Sequence, residues 1–185
     1  MKLIFLGPPG VGKGTQAAKL ASYMGLLHLS TGVMFREAVS QGTIVGVKVK
    51  SILDSGNLVP DELVCELVEE KLESILTGFV LDGFPRTLDQ AKSFDAYLKQ
   101  KNQCIDKVIS FKLSEDEILR RLTTRSVKEN RTDDSKEVIH KRLEVYLQLT
   151  EPLISYYKEI NLLVELDGLG TEDDVYKRLN ELIKK

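Results

Sequence analysis

The sequence predicts an α/β fold: one sheet of five parallel strands with helices on both faces, a three-layer sandwich. Two observations carry this. Short apolar runs at 2–6, 26–29, 79–82, 107–113 and 162–166 are each followed by helix-like sequence, the alternation expected of βαβ units. The first run, Leu3-Ile4-Phe5-Leu6, breaks directly into Gly7-Pro8-Pro9-Gly10-Val11-Gly12-Lys13-Gly14-Thr15, which leads into an amphipathic stretch from Gln16 to Met24. Glycines let this backbone curl so that successive N–H groups point inward, and the helix that follows turns its positive end to the same spot. The segment therefore reads as a phosphate cradle, a P-loop. In open parallel sheets ligands bind beyond the carboxyl ends of the strands, where Lys13 and Asp82 both fall.

Later elements follow from local signals. A helix from Pro60 to about Leu76 opens on proline, carries Asp61 and Glu62 beside its positive end, and buries a stripe of Leu63, Val64, Leu67, Val68, Leu72 and Ile75. Ser114 with Glu117 forms a capping box that starts a helix toward Thr124. Pro152 should break the long pattern from Ser135 into two helices, and Thr171 caps the last one. Two stretches fit the core poorly: Thr31 to Val59, with glycines at 42, 46 and 56, and the polar link Ser126 to Ser135. They read as small inserts over a site, at 30–59 and 125–135 of a single domain spanning 1–185.

Composition bounds the function. A chain of 185 residues, 42% hydrophobic and 29% charged, builds one substantial core. A net charge of −2 and a pI near 5.8 argue against a general nucleic-acid or membrane-surface binder, which needs a broad basic field. The apolar run at the start stops at Gly7 and Pro8, so it reads as a strand and not as a targeting segment. With no apolar run of about 20 residues, a cytoplasmic protein with no membrane partner is expected. Cys65 and Cys104 lack CxxC spacing and are expected to be buried thiols, without zinc or a disulfide.

Lys13 adds a full positive charge to the cradle. The strict motif places Ser or Thr directly after this lysine to hold magnesium, but here Gly14 intervenes and the hydroxyl comes on Thr15. Asp82, ending an apolar strand, is the magnesium candidate, and without a hydroxyl at Gly14 its contact is expected through water. Five of the eight arginines, Arg120, Arg121, Arg125, Arg131 and Arg142, fall in one segment. Guanidinium forks match phosphate oxygens, so Arg125, Arg131 and Arg142, flanking the polar link, suit a transferring phosphoryl group. Asp133 and Asp134 can orient them. Arg120 reads as a solvated residue paired with acids, His28 as a strand-end core residue and His140 as a surface residue. There is no Ser/His/Asp arrangement and no metal-spaced His/Cys cluster. An acceptor that is itself a phosphate, already largely anionic at pH 7, needs no general base.

The cradle, Leu29-Ser30-Thr31-Gly32, Asp82-Gly83-Phe84-Pro85-Arg86-Thr87 and Arg131-Thr132-Asp133-Asp134 together resemble adenylate kinases, in order and across nearly the whole chain. The resemblance implies magnesium-dependent phosphoryl transfer between ATP and AMP, giving two ADP, on a core with an AMP-binding insert and a lid. It implies that Gly10, Val11, Gly12, Lys13, Gly14 and Thr15 wrap the ATP phosphates, with Arg121, Arg125 and the backbone at Gly170 on the ATP side. Thr31, Arg36, the backbone of Asn57, Leu58 and Val59, the turn Gly83, Phe84, Pro85 and Arg86, and Gln90 would hold AMP. Arg131 and Arg142 would clamp phosphates from the lid side, and Lys13, Arg86, Arg125, Arg131 and Arg142 would carry catalysis.

Only five residues separate Arg125 from Arg131, which resembles the short-lid form without zinc. Two positions depart from the family: Val33 stands where an acidic residue is frequent, and Asn130 where glycine is common. A monomer is expected. Gln90 favours adenine, whereas UMP/CMP kinases, the alternative within the class, typically carry asparagine there and alanine at the position of Thr31. A P-loop switch that hydrolyses GTP is a further alternative, opposed by Gly14 and by the lack of an Asn-Lys-x-Asp motif. A non-catalytic nucleotide-binding module is opposed by the intact lysine and arginines.

Overall fold

The computed structural model of the chain describes residues 1–73, 77–129 and 135–184, with 127–129 as backbone alone. Five strands, β1 (Lys2–Leu6), β2 (Leu27–Ser30), β3 (Phe79–Asp82), β4 (Lys107–Lys112) and β5 (Leu163–Asp167), form one sheet in the order β2-β3-β1-β4-β5. Every pairing is parallel. From β1 the chain crosses to the edge at β2, returns to β3 beside β1, then crosses to the other side for β4 and β5. That reversal opens a crevice beyond the carboxyl end of β1, where the glycine-rich turn lies.

The helices are α1 (Lys13–Met24), α2 (Thr31–Ser40), α3 (Ile44–Asp54), α4 (Asp61–Leu72), α5 (Leu88–Gln100), α6 (Glu115–Glu129), α7 (Lys136–Val145), α8 (Pro152–Glu159) and α9 (Glu172–Lys184). Alternation along β1 feeds two cores. Leu3 and Phe5 pack with Val80, Ile109 and residues of α1 and α9, while Ile4 and Leu6 pack with Leu81, Val108 and residues of α4, α5 and α8. Leu3 and Ile4 are both wholly buried, as a central strand covered on both faces must be. At about 25 cal/mol per Å² of apolar surface, such strands supply much of the folding free energy.

Several elements differ from the sequence reading. α4 ends at Leu72 with Pro60 as its N-cap, and Ile75 and Leu76 lie outside the described residues. α6 does not stop near Thr124 but continues to Glu129, absorbing the start of the polar link, because that link contains no helix breaker. The break between α7 and α8 starts before Pro152: a π-helical turn, Tyr146–Thr150, intervenes, and the proline opens α8 at a position where its missing N–H costs nothing. Cys65 is buried as expected, but Cys104, in the loop before β4, is exposed. α2 and α3 pack as a pair beyond β2, and Thr43 caps α3 by accepting from the Gly46 N–H.

Candidate active site

The turn after β1 is shaped by what it abuts. Gly10 has φ +81, and a Cβ there would come within 2.7 Å of Leu122 Cγ on α6, so only glycine fits. Gly14 faces another constraint: a Cβ would lie 3.2 Å from Asp82 Oδ2. The carboxylate of Asp82, which accepts from the Ser30 hydroxyl at 3.1 Å, occupies the space that a side chain after Lys13 would enter. The departure at Gly14 thus has a steric counterpart in Asp82.

Lys13 opens α1 and folds back across the turn, its Nζ donating to the carbonyls of Gly7 (2.7 Å) and Pro8 (2.9 Å). Desolvation by burial pushes the ammonium down to about 8; Asp82 raises it, while Arg86, Arg142 and Arg125 lower it further. Burial also lowers Arg86, against the pull of Asp82. These groups form a field of concentrated positive charge balanced by one carboxylate, suited to a polyanionic ligand.

One continuous cavity of about 870 Å³ is lined by Gly10 to Thr15, by Asp82, Gly83, Pro85 and Arg86, and by Arg121, Arg125 and Arg142. Arg36, Asn57, Leu58 and Gly170 line it too, as does Val33, which is 42% exposed. Thr31, Val59 and Gln90 border a narrow side crevice of about 30 Å³, shared with Asn57, Leu58, Gly83 and Arg86. Phe84 lines neither space: its ring is buried in the core and meets Phe94 edge-on, with centroids 5.2 Å apart. Arg131, Asn130, Asp133 and Asp134 lie outside the described residues.

Arg121 acts as a strap in this state. It donates from Nε to Glu117 (2.8 Å), from Nη1 to the Val11 carbonyl (3.4 Å), and from Nη2 to the carbonyls of Gly168 (3.1 Å) and Gly170 (3.3 Å). This joins the glycine-rich turn to the loop after β5. Arg178 braces that loop from α9, donating to Asp167 at 3.0 Å and to the Leu169 carbonyl. Glu117, shared by Arg120 and Arg121, is held down at about 2 by those hydrogen bonds. Arg120 is exposed and paired with it, as the sequence suggested.

On the opposite side the turn after β3 is held from several directions. Thr31 Oγ1 and Arg86 Nε each donate to the Gly83 carbonyl at 2.8 Å, and Thr150, in the π-turn, donates to the Arg86 carbonyl at 2.9 Å. Gln90 is 1% exposed and held at both ends of its amide: its Oε1 accepts from the Arg86 N–H and its Nε2 donates to Asp61, both at 2.7 Å. The sequence does not single out Asp61, Ser30 and Thr150 as site residues; the partners that place them there lie far away in the chain. His28 is half-buried on β2 at the cavity edge, lowered by burial against the pull of Asp82, and His140 is exposed on α7.

The family model for adenylate kinase matches residues 5–162. A protein of Nitrobacter winogradskyi named adenylate kinase is 45% identical over 193 residues, covering 100% of this chain and 94% of its own length. One of Thermus thermophilus is 45% identical over 177 residues, 96% of this chain and 94% of its length, and one of Agrobacterium fabrum 43% identical over 193 residues, 100% and 98%. A phosphate cradle at the sheet's reversal point, a basic cleft between two helical flanks and similarity along nearly the whole chain agree: the chain belongs to the adenylate kinase family of nucleoside monophosphate phosphotransferases.

Proposed function

We propose that ATP-to-AMP phosphoryl transfer, the reaction of this family, takes place in the 870 Å³ cleft, with the donor phosphates on Gly10 to Thr15 and AMP between Thr31, Arg36, Asn57 to Val59, Gly83 to Arg86 and Gln90. The observation that carries this is the continuity of the cleft: one cavity runs from the glycine-rich turn to Arg86 and Asn57, so two nucleotides can meet phosphate to phosphate. Lys13, Arg86, Arg125 and Arg142 line the junction, and Arg131 joins them in this reading. Phe84 contributes through the backbone of its turn while its ring anchors the core.

The chemistry demands little of any single side chain. The acceptor is a phosphate oxygen, so the protein aligns the reactants, excludes water and spreads positive charge over the transferring group. Magnesium, brought with ATP, would supply charge neutralisation on the phosphates, and Asp82 is the residue that would hold it. Asp82 fits such a cation: a hard oxygen donor beside the N-terminus of α1, with Gly14 leaving room for the carboxylate and none for a hydroxyl. Water-mediated contact follows from the absence of that hydroxyl.

In this reading residues 30–59 form the AMP-side insert, and 125–135, the end of α6 with the segment that follows, form a short lid without zinc, since neither cysteine falls in it. In this reading the protein works as a monomer in the cytoplasm, with no nucleic-acid or membrane partner. Among the described residues no helix is long and apolar enough to cross a membrane.

The test is a complex with an inhibitor joining two adenosines through five phosphates. One adenosine should rest beside Arg121 and Gly170, the other beside Thr31, Val59 and Gln90, with the phosphates between Lys13 and Arg86. An adenosine found outside either place would refute the assignment.

A further inference from the structure

Among the described residues, Gln90 and Asn57 are the side-chain amides that border the side crevice, and the orientation of Gln90 is not free. The turn that fixes it involves three more residues. Thr87 caps α5: its hydroxyl accepts from the Gln90 N–H at 3.1 Å and donates to Asp61 Oδ2 at 2.6 Å. Asp61, in the first turn of α4, places its other oxygen, Oδ1, 2.7 Å from Gln90 Nε2. A carboxylate only accepts, so it can face the amino end of the amide but not the carbonyl end. The Arg86 N–H, 2.7 Å from Oε1, fixes the opposite end. The amide keeps one N–H and one lone pair to offer a ligand, in a set order.

We infer that Asp61 is a specificity-determining positioning residue, which holds the Gln90 amide in the polarity that matches the adenine edge. This rests on the reading above that the AMP base enters this crevice. Adenine presents an amino donor beside a ring-nitrogen acceptor. Hypoxanthine, the same size, presents a carbonyl acceptor beside an N–H donor, so it needs the amide reversed. With the Arg86 N–H alone, reversal would lose that hydrogen bond and turn the Gln90 amino group toward the N–H, donor against donor, at one end of the amide only. With Asp61 in place, reversal would also set the Gln90 carbonyl against a carboxylate, acceptor against acceptor, at a side chain that is itself only 1% exposed. Asp61 thus holds from the amino end the polarity that the Arg86 N–H holds from the carbonyl end, and raises the cost of the reversal that hypoxanthine requires.

The experiment compares kcat and KM for AMP and for inosine monophosphate, at saturating ATP and magnesium, in the intact protein and its variants. Asp61→Ala should lower the AMP-to-inosine-monophosphate ratio of kcat/KM by about tenfold, mainly through KM for AMP, with the KM for ATP unchanged. Asp61→Asn should restore the ratio, since its amide oxygen can face Gln90 while its NH₂ faces the Thr87 hydroxyl. Asp61→Glu, which keeps the charge but displaces the acceptor, should lower the ratio as Ala does, and serves in its place if the alanine variant does not fold. An unchanged ratio in Asp61→Ala or Asp61→Glu, or an equal loss for both substrates, would overturn the inference, and so would failure of Asp61→Asn to rescue. Gln90→Leu separates the two ideas. If it too leaves the ratio unchanged, the base pocket is misplaced; if it collapses the ratio while Asp61→Ala does not, only the role of Asp61 falls.

Discussion

Arg86, Arg125 and Arg142 converge from three separate elements, the turn after β3, α6 and α7, on a cavity that Lys13 also enters. Their charge matters most when it is spread over a transferring phosphoryl, so removal should act on kcat. Alanine at any of the three should lower turnover by roughly 10³ or more, on the scale of arginine-finger effects; near-normal turnover of Arg125→Ala would remove it from the site. Gly14→Ala probes the steric account. Its Cβ would stand 3.2 Å from Asp82 Oδ2, pushing the carboxylate off Ser30, and kcat/KM for ATP with magnesium should fall by about tenfold, ~1.4 kcal/mol. Unchanged kinetics would mean that Asp82 relaxes without consequence. At this scale spacing and residue type announce the glycine-rich turn and the arginine-rich segment, of which Arg121, Arg125 and Arg142 line one cavity while Arg131 lies outside the described residues. Asp61 was read only as a favourable acid at a helix start. Its bonds to Thr87 and Gln90 span 26 and 29 residues of sequence, and only the packing of α4 on α5 brings them together.

Element order and strand parallelism follow from the alternation of apolar runs with helical patterns, because a buried parallel strand must be apolar on both faces. Helix ends were harder to see. The π-turn at Tyr146–Thr150 is supported by a tertiary contact that no local pattern announces: Thr150 donates to the Arg86 carbonyl across the site. Thr150→Val should leave that carbonyl without its donor and destabilise the fold by about 1–2 kcal/mol, measured by urea unfolding, with a raised KM for AMP because Arg86 loses its brace. α8 is tied to α5 by Tyr156, which donates to Asp95 at 2.6 Å. That bond, then burial and the Asp95 charge, pushes the phenol up to about 12. The unfolded chain therefore releases this proton first, near pH 10, so the stabilisation is complete below about pH 10 and is lost as pH rises toward 12. The pair is partly solvated, which limits the effect to about 1 kcal/mol. Tyr156→Phe should flatten the alkaline limb of the stability curve between those values; an identical pH profile would contradict this origin of the shift.

Over the whole molecule, a rigid parallel sheet carries the phosphate cradle while the helical pair α2–α3 and the α6–α7 segment flank the opening. An enzyme that holds ATP must keep water from the terminal phosphate until the acceptor is in place, so closure of the two flanks should gate the reaction. The measurement that tests the central claim most directly is diphosphate formation from ATP and magnesium with AMP, CMP, UMP or GMP supplied in turn, alongside a reaction without acceptor. The account predicts two ADP per turnover with AMP, far lower rates with the other three, and negligible ATP hydrolysis when no acceptor is present. Equal phosphorylation of CMP or UMP, or steady ATP hydrolysis without any acceptor, would contradict it.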